Sequence, residues 1–103
     1  MNPELKKLSN KEIKRLIKDI GISYDDIGKI IGAYKTTIIF HIFGRTEPTD
    51  NYQILYKTIK RYPKVLYYLI FANREQFHDR QFRRILSKIE RYAGPMEDVD
   101  DLF

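Results

Sequence analysis

Four consecutive side chains, those of Tyr34, Lys35, Thr36 and Thr37, carry groups that suit contacts with nucleic acid. A lysine can donate hydrogen bonds to guanine, a threonine hydroxyl can reach a base edge, and a tyrosine hydroxyl can contact a phosphate. Further candidates flank this tetrad in the sequence: Tyr24, Lys29, Phe40, His41 and Arg45. Each has a structural alternative, namely a surface charge for the lysine and the arginine, a core or interface position for Phe40, and a satisfied histidine at a helix junction for His41.

Catalytic and metal chemistry have little support in the sequence. The two histidines, His41 and His78, are far apart, cysteine is absent, and no carboxylates cluster at metal-ligand spacing. The sequence also contains no nucleophile elbow, phosphate-binding glycine loop or paired-acid motif. We therefore expect a protein that is not an enzyme and that has no metal and no cofactor.

The candidate contacts lie within residues 23–48, and this segment predicts two short helices around a tight turn. Ser23 can cap the first helix, and isoleucines at positions 27, 30 and 31 give that helix one apolar face. Gly28 lets the next helix approach closely, whereas Gly32 can adopt the left-handed conformation that ends a helix.

The second helix of this pair is predicted from about Tyr34 to Phe43. A helical wheel puts one set of side chains inward, comprising Ile38, Ile39, Ile42 and Phe43. The opposite side of the wheel carries Thr36, Thr37, Phe40 and His41. This outer set is the one that could reach a groove of DNA.

The spacing of Gly28, Gly32, Ile38, Gly44, Arg45 and Pro48 resembles a known pattern. It is similar to the Cro and repressor-type helix-turn-helix domains of phages and mobile elements, the XRE class, over roughly residues 9–62. The resemblance implies a DNA-binding transcriptional regulator whose second motif helix enters the major groove. Ile39, Phe40 and Phe43 stand where such domains tend to carry polar residues. A second hypothesis therefore stays open: a protein-interaction adaptor or antirepressor that uses the same scaffold without specific DNA binding.

Helical patterns continue on both sides of the motif. A first helix is predicted over about 10–20, with a Ser9–Glu12 capping box and Gly21 as its end. A fourth helix is predicted up to Tyr62, with Ile54, Leu55 and Ile59 turned inward. Residues 64–72 could be a strand, but we favour a helix that starts at Pro63. A last helix is predicted from Asp79 to the Gly94-Pro95 stop.

The predicted fold is all-α: a compact helix-turn-helix domain of four to five helices with a C-terminal helical extension. We divide the chain into a DNA-binding unit (1–62), a helical extension (63–94) and an acidic flexible tail (95–103). The aromatic side chains of residues 63–93 exceed what a four-helix core needs, so we expect this segment to form a homodimer interface. The alternative is that these side chains complete an ordinary, larger core.

The amino-acid composition favours a protein that binds polyanions. The chain has 103 residues and a formal charge of +5, and residues 1–95 carry 19 basic and 10 acidic side chains, a net charge of +9. The longest apolar run, eight residues at 65–72, is short of the roughly 20 needed to cross a bilayer. We expect no membrane partner, no signal peptide and a cytoplasmic location in a bacterial, archaeal or phage-infected cell. Double-stranded DNA is the expected partner, with a protein partner as the alternative.

Overall fold

The computed structural model of the chain describes residues 6–96. Six α-helices follow one another in this part of the chain: α1 (Asn10–Ile20), α2 (Tyr24–Ile31), α3 (Lys35–Ile42), α4 (Asp50–Arg61), α5 (Val65–Ala72) and α6 (Asp79–Ala93). A short 3₁₀ turn at Arg74–Gln76 joins α5 to α6. No strand occurs among the described residues, so the predicted all-α class and the helical state of 65–72 are confirmed.

The capping signals of α1 act as the sequence predicts. The Ser9 hydroxyl accepts a hydrogen bond from the Glu12 amide at 3.1 Å, and the Glu12 carboxylate accepts one from the Ser9 amide at 3.2 Å. These reciprocal bonds satisfy two amides that the first turn leaves without helical partners. Gly21 then ends the helix in the left-handed region, with φ of 82°.

The corner between α2 and α3 depends on Gly28. The Ser23 hydroxyl caps α2 by accepting from the Asp26 amide, and Gly32 ends the helix with φ of 78°. A Cβ atom added to Gly28 would lie 2.7 Å from the carbonyl oxygen of Ala33 in the turn. Since non-bonded carbon and oxygen atoms do not approach so closely, any larger residue at position 28 would push the turn and α3 away.

All six helices contribute to one hydrophobic core. Isoleucine dominates it, with Tyr56, Tyr67, Phe77 and Phe82 as the large aromatic members. The Cα radius of gyration is 13.5 Å, close to the roughly 13 Å of a folded domain of this length. The described residues therefore form a compact globule.

Helices α5 and α6 pack into the same core as α1–α4. Leu66, Ile70, Ile85 and Ile89 are fully buried there. A polar link adds to this packing, because the buried Asp26 carboxylate of α2 accepts hydrogen bonds from Gln81 at 3.2 Å and from Arg84 at 3.3 Å. Most apolar side chains of residues 63–93 thus belong to the core of the same molecule, which was the alternative to a dimer interface in the sequence analysis. The use of this segment for dimerisation stays a prediction.

Residues 97–103 of the predicted acidic tail lie outside the described residues.

Two details of the prediction were wrong. Ile54 is 61% exposed rather than turned inward, because Gln53, Tyr56 and Ile59 form the buried stripe of α4. Gln53 tolerates burial because its side chain exchanges two hydrogen bonds with the backbone of Leu8. Helix α5 begins at Val65 instead of Pro63, since residues 62–67 first make a tight turn of i→i+3 hydrogen bonds.

Two isoleucines of α4 provide a matched test of this core. Ile59→Ala should lower the free energy of unfolding by about 2–5 kcal/mol, because the side chain is fully buried. Ile54→Ala removes the same atoms from an exposed position and should change it by less than about 0.5 kcal/mol. Urea denaturation followed by circular dichroism measures both. Equal losses in the two variants would contradict the orientation of α4.

Candidate nucleic-acid interface

Helix α3 has a buried inner stripe and an accessible outer face. The inner stripe consists of Ile38, His41 and Ile42, which are almost fully buried. We define the outer face as the side chains that are exposed or half-buried on the other side: Thr36, Thr37, Ile39, Phe40 and Phe43. Three positions on the predicted wheel need correction. His41 lies in the core instead of on the outer face, Phe43 is 60% exposed instead of inward, and Ile39 is half-buried on the outer face instead of inward.

His41 is held in the core by tyrosines of α4. Its Nδ1 atom lies 2.9 Å from the Tyr56 hydroxyl, and the Tyr52 ring packs edge-on with its centroid 4.9 Å away. Burial lowers the pKa of His41 and raises that of Tyr56. The hydrogen bond therefore joins a protonated phenol to a neutral imidazole. Since His41 is 3% exposed, its side chain is not part of the candidate contact surface.

A groove between α1 and α3 collects cationic side chains. It has a volume of about 480 Å³ and is bordered by Lys14, Lys18, Tyr24 and Lys35. No acidic side chain of residues 6–96 borders it. Asn10 at the start of α1 donates a hydrogen bond to the carbonyl of Ile42 at the end of α3, and Lys14, one turn further along α1, lies beside Phe43. Lys14 and Lys18 therefore lie beside α3.

A second groove lies between α2 and α3 and brings together three predicted contacts. Lys29, Tyr34 and Lys35 border it, so Lys35 lies between the two grooves. Tyr34 precedes α3 and is 83% exposed, with no side-chain hydrogen bond that caps the helix. Lys29 forms an ion pair with Asp25 at 3.5 Å, which reduces the positive charge at this end.

Two aromatic rings of the outer face have cations beside them. The Lys14 ammonium lies 5.7 Å from the centroid of the Phe43 ring, and the Arg45 guanidinium lies 6.0 Å from that of Phe40. A backbone hydrogen bond from the Arg45 amide to the Phe40 carbonyl keeps the latter two residues together. The outer face is thus apolar beyond Thr37 and has a cation near each ring.

Four of the five cations around α3 have no acidic partner within residues 6–96: Lys14, Lys18, Lys35 and Arg45 form no ion pair there, whereas Lys29 pairs with Asp25. Some cations elsewhere on the surface, such as Lys11, Arg80 and Arg91, are also unpaired in this part of the chain, so the distinctive feature is the clustering of these four beside α3. Unpaired cations that converge on one surface attract polyanions. The surface could therefore bind a chain of phosphates.

Sequence reasoning missed Lys14, Lys18 and the exposure of Phe43. The two lysines are four residues apart on the flank of the apolar stripe of α1, which was treated only as a core helix. Their spacing was the available signal, but it becomes meaningful only when α1 is known to lie beside α3.

Comparison with known proteins gives no match: no family model, curated protein or solved structure corresponds to the chain. Within residues 6–96, no group of three metal-ligating side chains could hold a metal ion. None of the helices in this part of the chain has the length and apolar character that a membrane crossing requires.

The buried imidazole predicts a pH-dependent stability. Because burial lowers the pKa of His41 in the folded protein, the unfolded chain binds more protons near and below the ordinary value of 6.5. The free energy of unfolding should therefore fall as the pH is lowered through 6.5 and below. His41→Asn keeps an acceptor for Tyr56 but cannot be protonated, so this variant should lose that part of the slope.

Urea denaturation at several pH values measures the slope in both proteins, which differ only at position 41. The His41 imidazole can also be titrated by NMR. A pKa of His41 at or above 6.5 would contradict its burial beside Tyr56.

Proposed function

We propose that the protein is a sequence-specific transcriptional regulator that binds double-stranded DNA through α2 and α3, acting as a helix-turn-helix. The observation that carries this proposal is the set of unpaired cations, Lys14, Lys18, Lys35 and Arg45, around the accessible face of α3. In a helix-turn-helix the second helix enters the major groove, and lysines and arginines beside it contact the phosphates. Tyr34, just before α3, and Thr36, in its first turn, are both exposed and can then reach base edges.

The proposed regulator binds a palindromic operator as a homodimer. One such unit contacts a single half-site, and two linked half-sites give higher affinity because the second contact becomes intramolecular. Phe71 of α5 is 47% exposed and provides apolar surface within residues 63–93 for a subunit contact. The resemblance of residues 9–62 to phage and mobile-element repressors favours repression as the regulatory outcome and a cytoplasmic site of action.

A second candidate function is favoured by the apolar character of the outer face. Phe43 is 60% exposed, and Ile39 and Phe40 are half-buried. An apolar helix face of this kind also suits a groove on a protein partner. In this case the chain would be an adaptor or antirepressor, and it would select no DNA sequence.

We expect the protein to select a palindromic motif from a pool of random duplex fragments. Its affinity for that motif should fall steeply between about 50 and 200 mM salt, because the lysines release counterions from the phosphates. Recovery of no motif, or an affinity that does not respond to salt, would contradict DNA binding and favour the adaptor.

Two double variants of α1 provide a matched control. Lys14→Gln with Lys18→Gln should reduce the slope of log affinity against log salt by about 2, since two phosphate contacts are lost. Lys11→Gln with Arg15→Gln removes the same charge from residues that border a different groove, beside Lys60 and Tyr92. This second variant should keep nearly the original slope.

The dimer has its own test. The full chain should sediment as a dimer at micromolar concentration, and Phe71→Glu should sediment as a monomer because a buried, unpaired charge opposes association. Ile54→Glu places the same charge on an exposed isoleucine outside residues 63–93 and should remain dimeric. A monomeric wild-type protein, or equal effects of both variants, would exclude the proposed interface.

A further inference from the structure

The outer face of α3 offers few groups that can hydrogen-bond to DNA bases. Thr36 and Thr37 each have one hydroxyl, whereas Ile39, Phe40 and Phe43 present only carbon. His41, which could have added a ring nitrogen, lies in the core with its Nδ1 atom engaged by Tyr56. A helix with this surface can discriminate between bases only in part through hydrogen bonds.

Cations border this apolar face on several sides. Lys14 from α1 lies beside Phe43, Arg45 from the loop after α3 lies beside Phe40, and Lys35 begins the helix. The major groove has the complementary arrangement, since its floor carries the base edges and both of its walls are lined with phosphates. The placement of Lys14, Lys35 and Arg45 around the apolar face matches this arrangement, whereas an uncharged apolar protein surface would not require it.

We propose that the outer face of α3 recognises the C5-methyl groups of thymine, an inference that rests on the proposed function. The half-site bound by each subunit would then be rich in thymine. The methyl group is the one apolar feature that base pairs present in the major groove. Ile39, Phe40 and Phe43 would cover these methyl groups, while Lys14 and Arg45 meet the adjacent phosphates. A G·C pair at the same place lacks the methyl group, so these side chains would gain no apolar contact to offset the loss of water from its polar edge.

The test compares duplexes that differ only in this methyl group. Two short duplexes of one A·T-rich sequence are prepared, one with thymidine and the other with deoxyuridine, which lacks the C5-methyl. The deoxyuridine duplex should bind about fourfold more weakly for each methyl group that the protein covers. Conversely, a G·C-rich duplex should bind more tightly when its cytosines are replaced by 5-methylcytosine, which places a methyl group in the same groove.

Variants locate the effect on the protein. Phe40→Ala and Phe43→Ala should each bring the thymidine-to-deoxyuridine affinity ratio closer to one. Ile54→Ala, which shortens an exposed isoleucine of α4, should leave the ratio unchanged. The wild-type ratio is informative by itself, so the test does not depend on the variants being folded.

The outcomes separate this proposal from the one on which it rests. If the wild-type protein binds both duplexes equally well, methyl recognition is overturned while DNA binding stands. If the ratio falls equally in Ile54→Ala, the methyl groups are not read by α3 and the proposal is overturned. If neither duplex binds at about 50 mM salt, both proposals fail, as expected when the face binds a protein.

Discussion

The position of α3 depends on the absence of a side chain at Gly28. The carbonyl of Ala33 occupies the space that a Cβ atom would need, so the turn between α2 and α3 is held against the backbone of α2. This contact fixes where α3 begins and therefore how its inner stripe meets the core. Lys35 follows two residues later and borders both grooves as a result. A displacement of the turn would disturb the core and the candidate interface together.

The two sides of helix α3 have different roles: one packs against the core, and the other is accessible. Ile38, His41 and Ile42 attach it to the core, and the hydrogen bond between His41 and Tyr56 lets a polar ring occupy a buried position. The side chains that face outward take no part in that packing. Substitutions on the outer face can consequently alter what the helix binds while the fold stays the same, whereas substitutions on the inner stripe act through stability.

Signals close together in the sequence predicted the fold well. The Ser9–Glu12 box, the Ser23 cap and the left-handed glycines place the ends of α1 and α2 correctly, because each needs only neighbouring backbone. The buried faces of α3 and α4 were harder, since they depend on distant partners. Gln53 is buried because the backbone of Leu8, 45 residues away, satisfies its amide. The cationic groove depends likewise on the packing of α1 beside α3, which no local pattern of lysines reveals.

The contact of Asp26 with α6 has a geometric consequence. Asp26 lies in the first turn of α2, and its carboxylate fixes Gln81 and Arg84 of α6 relative to the corner that carries α3. In a dimer joined through residues 63–93, the position of α3 relative to the interface would then be fixed within each subunit. No flexible linker would be present to change the distance between the two α3 helices. Half-sites on DNA recur at intervals of about 34 Å, one helical turn or a multiple of it. Such a dimer would bind poorly to an operator with an inserted or deleted base pair between its half-sites, even when both half-sites are intact.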